Sequence, residues 1–78
     1  MSPAQIAECG QRIYDERYRK KYERRHWGKL VAINIDTGEA FVGDNPVGAM
    51  DAARTRSSRG MVYLLRVGES GAFQWANP

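Results

Sequence analysis

The stretch Lys29-Leu30-Val31-Ala32-Ile33-Asn34-Ile35-Asp36-Thr37-Gly38-Glu39-Ala40-Phe41-Val42-Gly43 decides the fold. Lys29 to Ile35 reads as a strand, with Val31, Ile33 and Ile35 on one face and Leu30, Ala32 and Asn34 on the other. Asp36-Thr37-Gly38-Glu39 follows as a turn, in which Gly38 can take a positive φ without steric cost. Ala40 to Gly43 then closes a hairpin.

Downstream, Asp44-Asn45-Pro46 sets a polar cap before a proline and opens a helix running to about Ser57, with Asp44 available as the cap. Ser58-Arg59-Gly60 ends that helix, and Met61 to Val67 is the most strand-like run of the chain. Gly68-Glu69-Ser70-Gly71 reads as a second turn, after which Ala72 to Trp75 can return as a short edge strand.

Upstream, Ser2-Pro3-Ala4-Gln5 supplies a hydroxyl cap, a proline at the first helical position and a glutamine three residues after the cap. Ile6, Cys9, Gly10, Ile13, Tyr14, Arg17 and Tyr18 recur at helical spacing, so one helix is predicted to about Arg25, closed by His26-Trp27-Gly28. Gly10 weakens a helix by roughly 1 kcal/mol relative to alanine and so marks a close contact with another element. Beyond Ile13 only tyrosines continue the apolar face, so that end of the helix is expected either to project from the fold or to lie on a wet interface.

The element order α-β-β-α-β, with room for a fourth strand, predicts an α+β fold: an N-terminal helix followed by a small, mostly antiparallel ββαβ(β) sheet. A right-handed crossover places the third strand beside the first, giving the order 2-1-3 or 2-1-3-4, with the helices expected on one face. The 78 residues are expected to form a single domain, with a basic aromatic helix over 2–25 and a small α/β core over 28–76. A sheet of this kind keeps an exposed edge, which makes a homodimer or another homo-oligomer a natural assembly.

Composition narrows the function classes. An apolar fraction of 42% suffices for a core. No apolar run approaches the roughly 20 residues that span a bilayer, so no membrane association is expected. Met1 to Cys9 carries Glu8 and has neither a basic n-region nor an apolar h-region. Cys9 is alone, which rules out an internal disulfide, and a cytoplasmic location is expected.

The inventory for chemistry is thin. His26 is the sole histidine, with no second imidazole or nearby cysteine to build a zinc site and no evident carboxylate to orient it as a base. Cys9 sits beside Ile6 and Ile13 on the apolar side of its helix, where packing explains it. Asp36, Glu39, Asp44 and Asp51 are accounted for by turns and caps, and no glycine pattern forms a phosphate loop. No catalytic residues, cofactor or metal are therefore expected, and the chain reads as non-enzymatic.

Charge provides the functional lead. Eight of the twelve Lys and Arg residues fall between Arg12 and Lys29, interleaved with Tyr14, Tyr18, Tyr22 and Trp27, whereas Leu30 to Pro78 holds four basic and five acidic residues. The partner-binding set predicted from this tract is Tyr14, Arg17, Tyr18, Lys21, Tyr22, Arg24, Arg25 and Trp27. Three readings stand: a solvated helix whose Asp15, Glu16 and Glu23 pair with neighbouring cations, a protein interface built on Arg, Tyr and Trp, or a nucleic-acid surface. The net charge of +3 is modest for the last of these. Arg54, Arg56 and Arg59 form a smaller group that complements a helix C-terminus.

Glu8-Cys9-Gly10-Gln11-Arg12-Ile13-Tyr14, Gly28-Lys29-Leu30-Val31-Ala32-Ile33, Thr37-Gly38 and Arg66-Val67-Gly68 together resemble a group of small uncharacterised bacterial proteins. In these an E-x-G-x-x-I-Y helix precedes a G-K-x-V-A-I strand and a T-G hairpin. The resemblance implies an antitoxin-like or accessory partner of a second small protein. The chain departs from that pattern at Gly43-Asp44-Asn45-Pro46, where a more acidic segment is usual, and in the richer Arg and Lys content of its first helix. The expected function is thus a small binding module docking a basic aromatic helix on an acidic protein partner, with RNA or DNA binding through the same helix, or a homo-oligomeric assembly, as the alternatives.

Overall fold

The hairpin forms where the sequence places it. In the computed structural model, which describes residues 2–68 and the backbone of 74–76, β1 (Leu30–Asn34) and β2 (Ala40–Gly43) pair antiparallel with Val31 opposite Val42 and Ile33 opposite Ala40. Asn34 builds the turn between them: its side-chain oxygen accepts from the backbone N–H of Asp36 (2.9 Å) and of Thr37 (3.2 Å). Gly38 takes φ +80°, the left-handed conformation its lack of a Cβ permits.

β3 (Val62–Arg66) lies antiparallel on the other side of β1, with Ala32 opposite Leu64, and β4 (Gln74–Ala76) pairs antiparallel with β3, with Tyr63 opposite Trp75. The sheet order is β2-β1-β3-β4, as the crossover argument predicts, and β2 and β4 are its edges. The predicted turn at Glu69-Ser70-Gly71 and the proposed strand residues Ala72 and Phe73 lie outside the described residues.

α1 (Pro3–Arg17) begins with the predicted capping box: the Gln5 N–H donates to Ser2 Oγ (3.2 Å) and the Ser2 N–H donates to Gln5 Oε1 (2.8 Å). Ile6, Gly10 and Tyr14 form its buried stripe and pack with Val31, Ile33, Tyr63, Leu65 and Val67. A Cβ at Gly10 would run into the Tyr63 side chain, which is the close contact the sequence marks. The Tyr63 hydroxyl donates back to Gln11 Oε1 at 2.7 Å.

The single helix expected to Arg25 is divided at Tyr18 (φ −123°, ψ −27°), after which α2 (Arg19–Arg25) continues. The departure is local to the residue whose hydroxyl is anchored on the hairpin turn, donating to the Gly38 carbonyl at 2.6 Å. This end of the helix does not project, because Tyr18 and Tyr22 pack half-buried against the same core as α1.

α3 (Pro46–Arg56) carries the second correction. It packs Ala49 and Ala53 onto Leu30, Ala32, Val62 and Leu64, the sheet face opposite α1. The helices therefore cover both faces rather than one. The physical cause is legible in β1 and β3, whose uninterrupted apolar runs leave hydrophobic side chains on both faces that must be shielded from water. The cap of α3 is Asn45, whose Oδ1 accepts from the Gly48 N–H at 2.8 Å. Asp44, read from sequence as the cap, instead pairs with Lys29.

Candidate functional site

A seven-residue helix carrying five basic residues has only one narrow stripe to spare for the core, and α2 gives that stripe to its tyrosine row. Tyr14, Tyr18, Tyr22 and His26 follow one another at four-residue steps, and the Tyr22 ring contacts the other three. Ring centroids lie 6.4 Å apart for Tyr14–Tyr22, 5.3 Å for Tyr18–Tyr22 and 5.1 Å for Tyr22–His26, the last at 89°. Tyr14 is only 2% exposed, which removes it from the predicted binding surface. Burial pushes the Tyr14 and Tyr22 phenols above their ordinary range, so both are held neutral.

The opposite side of this segment is cationic. Arg17, Lys20, Lys21, Arg24 and Arg25 are exposed and make no ion pair with any described residue. Arg19 differs, bridging Asp15 (3.3 Å) and Glu23 (3.2 Å) along its own helix. Glu8 pairs with Arg12 at 3.8 Å. Glu8, Asp15 and Glu23 are thus engaged with Arg12 and Arg19, while Arg17 to Arg25 retains six cations against the single anion Glu23. At about 100° per residue, Lys20, Lys21 and Arg24 share an arc of about 100°, with Arg25 at its margin.

Trp27 completes the surface. It is 67% exposed, one of two large hydrophobic side chains so exposed among the described residues, the other being Val47 at the start of α3. Its backbone neighbours are clamped to the end of β3. The Gly28 N–H donates to the Val67 carbonyl (3.0 Å), the Val67 N–H donates to the Lys29 carbonyl (2.8 Å), and Arg66 Nη1 donates to the Gly28 carbonyl (2.9 Å). The sequence singles out neither Arg66 nor Gly68 as supports for Trp27. Gly68 directly after a strand is the only local signal, and it does not say which residue covers it.

The predicted set therefore divides. Arg17, Lys21, Arg24, Arg25 and Trp27 are exposed, as is Lys20, which the sequence reading leaves out of the set. Tyr18 and Tyr22 are half-buried, and Tyr14 is core. Asp44 is held below the usual carboxylate range by its hydrogen bond from Lys29. Cys9 is half-buried in α1, and among the described residues no group of three His, Cys, Asp or Glu side chains is placed to hold a metal ion. Among them, too, no helix is long and apolar enough to cross a membrane. Comparison of the chain with family models, curated proteins and solved structures finds no match.

Proposed function

We propose that this chain is a non-enzymatic binding module that lays the outer face of α2 on an acidic partner. The observation that carries the reading is the run of exposed cations at Lys20, Lys21, Arg24 and Arg25 with no ion pair to any described residue. Like charges this close on one helix repel each other by a few tenths of a kcal/mol per pair, and an anionic surface reverses the sign of that term.

An antitoxin-like role fits this reading if Arg24 or Arg25 enters a carboxylate-lined site of a partner enzyme, where bidentate guanidinium–carboxylate bonds form. The inward turn of the tyrosines weighs against such a partner. Protein interfaces take most of their binding energy from buried aromatic and arginine anchors, and among the described residues Trp27 is the one large aromatic side chain left exposed near the cations in sequence. A surface rich in charge and poor in apolar area suits a phosphate backbone better than a folded protein.

The test is the binding of a fluorescein-labelled 12-nucleotide single strand, followed by anisotropy between 50 and 200 mM salt. Four phosphate contacts give a slope of log K against log salt of about −3. The quadruple variant K20E/K21E/R24E/R25E is expected to lose binding while its thermal unfolding stays close to that of the parent. Binding unchanged by the reversal would sink the proposal for this face. A single acidic protein recovered from host extracts after nuclease and high-salt washing would assign the partner to the protein class.

A further inference from the structure

We propose that the outward face of Trp27 is a stacking platform for one unpaired base of a single-stranded nucleic acid, with the cations of α2 holding the adjoining phosphates; this deepens the reading of α2 just given and rests on it. The geometry begins at Gly68. A Cβ built there would lie 2.8 Å from both Cε2 and Cζ2 of Trp27 and 3.0 Å from Cδ2. Cε2 and Cδ2 are ring-fusion carbons with no outward edge, so a point nearly equidistant from these three atoms lies over the ring plane. Gly68 therefore backs one face of the indole, at φ +96° and with no side chain to push the ring away. With 67% of the residue exposed, the other face is turned to solvent.

A buried tryptophan supplies core area, and a loose one pays entropy to bind. Trp27 is in neither state. Its ring is seated on backbone, and that backbone is tied to β3 through Gly28, Lys29 and Arg66. An aromatic face fixed before the ligand arrives stacks with less loss of conformational freedom.

The chemistry of the occupant follows from what surrounds the ring. Arg25 and Arg24 lie two and three residues before it in the chain and make no ion pair with a described residue. Glu23 is held by Arg19 and Asp44 by Lys29, so these two nearby carboxylates are already paired with cations. A ligand that offers a flat π face together with negative charge meets both features, and an unpaired nucleotide is that ligand. A duplex hides its base faces and would engage the cations alone.

The experiment uses the full chain and three 12-mers of equal phosphate count: oligo(dT), oligo(U) and an abasic strand. Oligo(dT) and oligo(U) are expected to bind about tenfold more tightly than the abasic strand, the contribution of one good stack. In Trp27→Ala that advantage is expected to vanish while abasic binding is kept, and Trp27→Phe is expected to restore part of it. A preference for oligo(U) over oligo(dT) marks a contact to the 2′-hydroxyl in addition to the stack. Equal binding of abasic and intact strands by the parent overturns the platform and leaves the α2 reading standing. If no 12-mer binds at 50 mM salt but anionic phosphatidylserine vesicles do, the surface is lipid-directed and the proposal fails. If neither binds, the platform fails, and the α2 reading then stands only if an acidic protein is recovered from host extracts and the charge reversal abolishes that capture.

Discussion

The two helical layers cover the same sheet by different means. On one face α1 and α2 use large side chains, Ile6 and a tyrosine row, and let only Gly10 come close. On the other α3 uses the small side chains Ala49 and Ala53, and Gly43 of β2 leaves no room for a Cβ against the Ala49 backbone. Their charges differ in the same way. Arg54 donates to the Gly60 carbonyl at 3.1 Å and Arg56 pairs with Glu39 at 3.3 Å, so the cations at the end of α3 serve the fold. The outer cations of α2 have no such duty among the described residues. A charged residue with a structural partner explains itself, and one without is where a ligand should be sought.

The comparison can be broken first at its glycines. Gly10→Ala adds a methyl group where Tyr63 already sits and is expected to destabilise by about 1–3 kcal/mol, against the ordinary helical preference for alanine. Gly48→Ala in α3 meets only Asn45 Oδ1, at 3.4 Å, and is expected to stabilise by up to ~0.5 kcal/mol. Thermal or urea unfolding of the two variants reads the opposite signs directly. Equal effects would mean that the layers pack alike.

The tyrosines sharpen the contrast next. Burial raises the Tyr63 phenol to about 12, against a usual value near 10. Because the folded value lies above the unfolded one, this contribution to stability is complete below pH 10. It is lost as pH rises from 10 through 12, since the unfolded chain ionises first. Alkaline unfolding in that window is expected, and Tyr63→Phe should soften it while costing about 1 kcal/mol at neutral pH through the bond to Gln11. Tyr14→Phe should act in the opposite sense. The Tyr14 hydroxyl is buried with no hydrogen-bond partner among the described residues, and removing it should gain about 0.5–1 kcal/mol. A loss of stability on Tyr14→Phe would show that this hydroxyl is satisfied in solution.

The smallest stability effect is expected at the surface cations. Lys21→Gln and Arg24→Gln in α2 should change stability by less than ~0.5 kcal/mol. Arg56→Gln, which gives up the Glu39 pair, should cost within the roughly 0.2–1 kcal/mol range of exposed pairs. If Lys21 or Arg24 proved as costly as Arg56, those side chains would have structural duties and their case as ligand contacts would weaken.

Much of the architecture was legible because its signals are local. The Ser2–Gln5 capping box, the Asn45-Pro46 start, the Gly38 turn and the alternation of β1 are each set by residues within four positions of one another. The facing of α3 departs from the one-face expectation for a reason carried by Leu30, Ala32, Val62 and Leu64: a strand apolar on both faces needs cover on both. The site was half legible. Charge density marks the helix whose outer cations lack a described ion pair, but periodicity does not say whether a tyrosine row faces the core or a partner.

The sequence alone determined the elements, their order in the sheet and the location of the positive charge, because caps, turns, alternation and charge are properties of short segments. Only the tertiary structure decided which side of α2 is spent on the core, where the helix divides, and that Trp27 lies on Gly68 with one face open. Those outcomes depend on contacts between residues 20 to 52 positions apart, Tyr18 with Gly38, Trp27 with Gly68 and Tyr63 with Gln11. No local preference encodes them; they arise when two helical layers compete to exclude water from the two faces of one small sheet.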